Sequence, residues 1–172
     1  MMCRLFTPLI GCRSGSAAVE MALVIPLLVI LMFGSFELGS YFLDNHVVAK
    51  AVRDGARYAA RRPFTNYAAC AGVPGGTVAT DTRNLVRTGK LSGGAARLRG
   101  WTDPATISIS ISCDTAGVGG VPYTGIYNGM ATGAPVVTVS ADVPYQSLFG
   151  GVGFSSVGLT LHAQSQAAVT GI

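Results

Sequence analysis

Charged side chains are scarce in this chain of 172 residues: Asp, Glu, Lys and Arg make up 12% of it, against about 25% in an ordinary soluble domain. From Trp101 to Ile172 there is no Lys or Arg at all. Histidine is limited to His46 and His162, and no HExxH, CxxC or GxSxG pattern occurs, so the metal, thiol and serine chemistries that those spacings serve have no ready site. TGKLSGG at Thr88 to Gly94 is not a phosphate loop, because Asn84 stands where that loop needs Gly and Leu91 where it needs Ser or Thr. No nucleic-acid motif accompanies the basic residues, which have few aromatics beside them, Tyr58 and Tyr67 among these. No cofactor, metal or nucleic acid is therefore expected, and the chain reads as non-enzymatic.

Hydrophobic residues fill the gap, at 49% of the chain, and the mean hydropathy is +0.47. Gly at 23 and Pro at 8 raise the loop content, while abundant Val, Ile, Leu and Ala exclude a disordered chain. The longest apolar run, MALVIPLLVILMFGSF between Glu20 and Glu37, holds sixteen uncharged residues. With its flanks, about 17–43, it is long enough to cross a hydrocarbon layer of about 30 Å at about 1.5 Å per residue. The remaining chain is too short and Gly-rich to bury such a helix in a soluble core, so a membrane helix is expected. Pro26 removes an N–H and predicts a kink. Gly34, Ser35 and Gly39 offer a small-residue face to another helix.

Helical character continues past the membrane edge to Pro63, giving one helix over 16–62. Its outer half carries Lys50, Arg53, Arg57 and Arg61 at spacings of three and four, a single basic stripe, and Ala51, Gly55 and Ala59 as a small-residue stripe. The basic stripe is either a solvated face or a contact for lipid phosphates or an acidic partner. Between Asp44 and Gly100 ten basic residues face three acidic ones, whereas the rest of the chain to Ile172 has only Asp103, Asp114 and Asp142. Because long C-terminal domains cross membranes largely regardless of charge, the N terminus is assigned to the cytoplasm.

Ahead of the helix, residues 1–15 form a short basic leader, and Gly15, Ser16, Ala17, Ala18, Val19 and Glu20 follow one another at its end. A Gly with a Glu five residues on, at the head of an apolar helix, resembles the cleavage motif of type IV prepilins, which implies a cut after Gly15 by a prepilin peptidase. An acid at the start of a membrane helix is costly without a partner. Glu20 of one subunit could pair with the Ser16 ammonium of a neighbour, or it could simply reach interfacial water.

The wider pattern, Ala17 to Glu20, Pro26, Glu37 to Gly39 and then Arg53 to Tyr58 (RDGARY), resembles the TadE-like family of minor pilins, or pseudopilins, of the tight-adherence (Tad, Flp) pilus. Met21 departs from it, standing where the family often has Phe or Tyr. The resemblance covers about the first 62 residues. It implies a type IV-like pilus for adherence and, as partners, the prepilin peptidase, the inner-membrane assembly platform, a sister pseudopilin and the major pilin. It places the protein in the bacterial inner membrane as a single-pass protein with a periplasmic or extracellular head, and potentially in the pilus itself.

The head, 63–172, reads as a small antiparallel sheet packed on the long helix, a pilin-like α+β architecture. Thr80 to Leu91 predicts a short helix with Leu85 and Leu91 inward and Arg83, Arg87 and Lys90 outward. Ile107, Ile109 and Ile111 alternate with serines as one strand, Val137, Val139, Ala141 and Val143 form a second, and Leu159 to Ala167 a third. Gly117 to Gly133 reads as loop. Cys3 and Cys12 lie in the leader, while Cys70 and Cys113 lie in the head, where an oxidising compartment would favour a bridge over two free thiols.

Three other readings compete. Leu9 to Cys12 matches a lipoprotein box, although the apolar stretch before it is short. A signal cut near Ser35 would release a soluble head, although Glu20 and the continuous outer helix oppose it. A signal-anchored envelope or binding protein that never enters a fibre is the remaining alternative.

Overall fold

The computed structural model describes residues 16–114, 123–130 and 132–171, with the backbone alone at Ser16 and Val152. The leader, with Gly15, Cys3 and Cys12, lies outside the described residues, as does part of the Gly117–Gly133 loop. The chain divides into two compact units, the first ending at Gly39 and the second running from Ser40 to Ile172.

Helix α1, Ser16–Ala60, spans 45 residues and includes Pro26. Within the first unit its side chains are unburied: Leu23, Leu28, Ile30, Leu31 and Phe36 are all more than half exposed. Such a surface has no place in water and fits lipid, and the helix is long and apolar enough to cross a membrane. It is therefore compatible with membrane anchoring. Ser35 returns its hydroxyl to the Leu31 carbonyl at 2.8 Å, which satisfies a polar group on an apolar surface.

The helix stops two residues before the expected Arg62. Arg61 and Arg62 donate to the Tyr58 and Ala59 carbonyls, tightening the end into a three-residue turn, and the Thr170 N–H takes the Ala60 carbonyl at 2.8 Å. Pro63, at φ −52° and ψ 143°, then leads the chain away.

In the second unit, α2 covers Val78–Thr88 rather than Thr80 to Leu91. Gly89, at φ 79° in the left-handed region, closes it by donating to the Leu85 carbonyl, a turn that favours Gly. Leu91 is thereby left outside the helix and 46% exposed. The inward stripe is Val78, Ala79, Thr82 and Val86, so Leu85 is only half-buried. Arg83 and Arg87 are half-buried too, because their guanidinium groups donate to the Ile107 and Thr102 carbonyls at 3.4 and 3.0 Å.

The sheet has strands β1 (Ile107–Asp114), β2 (Ala134–Pro144) and β3 (Thr160–Ala168). They pair antiparallel in the order β1-β2-β3, with Ile109 opposite Val139 and Val139 opposite Ser165. Alternation puts Ile107, Ile109 and Ile111, then Val137, Val139, Ala141 and Val143, and finally Leu161 and Ala163 on one buried face. Leu159 falls outside β3 and is 49% exposed.

That face packs with Val48, Ala51, Val52, Ala56 and Ala59 of α1 and with α2 in a single core, which also encloses Trp101. Long apolar helix and three-stranded antiparallel sheet together make the α+β layout that the alternating sequence implied. At the centre, a Cβ built on Gly55 would lie 2.3 Å from Cγ2 of Val86 and 3.8 Å from Cγ1 of Val139. Glycine there lets α2 and β2 approach the backbone of α1.

Candidate functional site

The segment Arg53 to Tyr58 divides its side chains by helical phase. Gly55 and Ala56 face the core, whereas Arg53 and Arg57 point to solvent. Asp54 lies 3.9 Å from the Arg97 guanidinium, which ties the helix to the stretch after α2. The Tyr58 hydroxyl reaches Asp81 of α2 at 3.3 Å, and Thr77 holds the same carboxylate at 2.8 Å. Arg62 stacks on the Tyr58 ring at 4.1 Å, a cation–π contact. Burial raises the Tyr58 phenol above its usual pKa, with Arg62 opposing that shift and Asp81 reinforcing it.

Along this edge runs an open groove of about 400 Å³ lined by Asp54, Arg57, Tyr58, Arg61 and Arg62. Lys50, Arg53, Arg57 and Arg61 are all exposed. Several other basic residues are used within the fold, Arg83 and Arg87 on carbonyls, Arg97 on Asp54 and Arg62 on Tyr58, while Lys90 and Arg99 are exposed away from α1 in sequence. What is left on the outer half of α1 is a run of four cations beside a shallow polar groove, a surface suited to anionic groups. Asp54 and Tyr58 were legible in the sequence only as part of RDGARY, and Arg62 only as the expected end of the helix. Their spacing of four along one helix line is the signal that places them in a row.

The processing residues are described only in part. Gly15 lies outside the described residues, Ser16 opens α1, and Glu20 is exposed on its second turn. Cys70 and Cys113 form a disulfide with Cα atoms 5.3 Å apart, across a sequence separation of 43. Beside it the Ile111 N–H donates to the Gly72 carbonyl at 3.0 Å, so loop and β1 are joined both covalently and by backbone.

Tyr67, buried under the end of α1, donates its hydroxyl to the Ala59 carbonyl, and burial pushes its phenol pKa up to about 12. His46 lies exposed on α1, whereas His162 sits on β3 with Nδ1 2.6 Å from the Asp142 carboxylate. That contact is the register pair of two exposed strand positions. Among the described residues, no group of three or more His, Cys, Asp and Glu comes together.

The class that the fold defines is an α+β protein whose long N-terminal helix is compatible with membrane anchoring and has a basic outer half that packs on a small antiparallel sheet. Residues 15–57 match the family model described as TadE-like protein. This part of the chain is similar to a TadE-like domain, which supports a Tad pilus-associated, minor-pilin-like protein. The match takes in Gly15, Glu20, the apolar run and most of RDGARY, and leaves the head beyond it. No curated protein matches the chain, and no solved structure does.

Proposed function

We propose that the chain is a non-enzymatic minor pilin, or pseudopilin, of a Tad (Flp) pilus that serves adherence. In this reading a prepilin peptidase cuts after Gly15, the apolar half of α1 stays in the bacterial inner membrane with its N-terminal end cytoplasmic, and the head is exported. The observation that carries the reading is the TadE-like match over residues 15–57, which takes in the cleavage motif and all of the RDGARY segment but Tyr58.

Chemistry supports the individual roles. In a bundle of processed helices, Glu20 of one subunit neutralises the Ser16 ammonium of the next, fixing axial register where an isolated charge would be costly. The Cys70–Cys113 disulfide suits an oxidising exterior. Lys50, Arg53, Arg57 and Arg61 supply an exposed cationic face for an acidic region of the sister pseudopilin, the major pilin or the assembly platform, or for lipid phosphates.

The test is deletion in a host that carries Tad-type pili. Loss of pili and of surface attachment, restored by the wild-type chain and not by Gly15→Leu, is the expected result. Unchanged piliation and attachment in the deletion strain would sink the proposal in favour of a signal-anchored envelope protein.

A further inference from the structure

Within the second unit, the outward side of α1 carries charge of one sign. Lys50, Arg53 and Arg57 lie on it and Arg61 just past its end, all four exposed. Spacings of three, four and four set them in a line, on the side away from Ala51, Val52, Ala56 and Ala59, which face the core. From Lys50 to Arg61 the line runs about 16 Å at about 1.5 Å per residue.

Beside the line sits the open groove of about 400 Å³, walled by Arg57 and Arg61 and by Asp54, Tyr58 and Arg62. The last three are half-buried, so the groove is recessed behind the exposed cations. The Arg62 guanidinium stacks over the Tyr58 ring at 4.1 Å, which leaves its edge for hydrogen bonds. Its Nε is buried and has no acceptor among the described residues. An unpaired charged donor in such a place costs free energy that an incoming carboxylate recovers.

We infer that this surface docks an acidic helix of a different protein chain, with carboxylates repeated every three or four residues. Such a helix carries its acids at the pitch of the cationic line, and one of them can enter the groove, where Arg61 and Arg62 offer forked donors. An anionic bilayer fits less well. A headgroup plane reaches the four exposed cations but not the recessed Arg62, and it would press its charge on Asp54 beside them, which discrete carboxylates can avoid. A second copy of this chain fits no better. Its eight Asp and Glu are never closer than seven positions apart, so no segment repeats an acid at helical spacing. Ten basic residues against three acidic ones between Asp44 and Gly100 also set copies against each other at this face. Docking of this kind rests on the reading of the basic face as a partner surface and narrows it to one class of partner.

The test uses the full chain in a non-ionic detergent and a dye-labelled, stapled alanine helix bearing four Glu at spacings of three, four and four. An isomer carries the same Glu spread around the helix. By fluorescence anisotropy the striped helix should bind at least tenfold more tightly than the isomer. Arg57→Gln with Arg61→Gln should abolish that preference, whereas Lys90→Gln with Arg99→Gln, an equal loss of exposed charge outside α1, should keep it. Equal binding of the two peptides, or equal loss in the two variants, overturns the proposal. Release of the striped helix by a few phosphatidylglycerol molecules per micelle would assign the face to lipid phosphates, and dimers in sedimentation that R57Q/R61Q abolishes would assign it to a second copy. Either result also overturns it. In a host with Tad-type pili, R57Q/R61Q should lose pili as the deletion does. Pili lost on deletion and kept in R57Q/R61Q overturn the docking and leave the pilin reading standing, whereas pili kept in both remove that reading and the docking with it.

Discussion

Replacing Gly55 by Ala tests whether α2 truly rests on the backbone of α1. On helix propensity alone the change stabilises, by about 1 kcal/mol. The structure opposes it: the new methyl would stand 2.3 Å from Cγ2 of Val86, where carbon pairs prefer about 3.5–4.0 Å. Val86 has no exposure at all and is β-branched, so it has no free rotamer to retreat into. Relief then requires α2 to back away from α1, loosening the contacts of Thr82 and Val139. Overpacking of this kind costs about 1–3 kcal/mol; an approach of 2.3 Å to an enclosed side chain belongs at the upper end of that range, so a net loss of about 2 kcal/mol remains after the propensity gain.

A companion variant keeps the reasoning exposed. Val86→Ala alone loses about 2 kcal/mol through transfer and cavity, yet in G55A/V86A the new methyl fills space that Val86 vacated. The double variant should therefore be more stable than the two single losses added together, by about 1–2 kcal/mol. Urea unfolding of the full chain in mild detergent, followed by Trp101 fluorescence, reads all four proteins. G55A at least as stable as the wild type, or strict additivity in the double, would refute the close approach.

Thr82 is fully buried and its hydroxyl has no hydrogen-bond partner among the described residues, so Thr82→Val should stabilise the head by about 1 kcal/mol; a loss in the same urea assay would mean that the hydroxyl is satisfied. Breaking the disulfide with Cys70→Ser and Cys113→Ser frees a link across 43 residues and should cost about 4 kcal/mol on the chain-entropy model, with reductant lowering the wild type to the same midpoint. Tyr67 gives a pH signature: the unfolded chain releases the phenol proton near pH 10 while the fold holds it to about 12, so the folded state binds more protons in that window. Stability due to Tyr67 is whole below pH 10 and falls as pH rises towards 12, by at most about 1.4 kcal/mol per unit. Thermal unfolding at pH 9 and 11 should show a steeper fall for the wild type than for Tyr67→Phe, and equal slopes would contradict the assignment.

The legible parts of this fold are those written in simple periods. Ile107, Ile109 and Ile111 alternate with serines, and Val137 to Val143 alternate likewise, because one sheet face is buried and the other wet. The long helix was legible from an apolar run followed by helical spacing that continues, without Pro, as far as Pro63. Less legible was α2, whose inward stripe mixes Val78, Ala79, Thr82 and Val86, so the larger Leu85 and Leu91 drew the inward assignment away from the residues that pack. The stop at Gly89 decides Leu91, and Gly next to Lys gave no periodic cue. Arg83 and Arg87 looked like solvated charges, yet each finds a carbonyl that only the tertiary fold supplies.

The candidate site was legible in its cations and not in its companions. Lys50, Arg53, Arg57 and Arg61 were visible as a stripe. The roles of Asp54, Tyr58 and Arg62 depend on Arg97 and Asp81, which lie 43 and 23 positions further along than Asp54 and Tyr58 respectively and come close only when α2 docks. RDGARY thus combines a surface motif with a packing motif, and Gly55 belongs to the second.

Cleavage between Gly15 and Ser16 tests the pseudopilin reading most directly. Intact mass and N-terminal sequencing would be done on the chain expressed with and without a cognate prepilin peptidase, beside the Gly15→Leu variant. The account predicts a new N terminus at Ser16 that requires the peptidase and vanishes in G15L. An N terminus unchanged by the peptidase, lipid on Cys12, or a cut near Ser35 would contradict it.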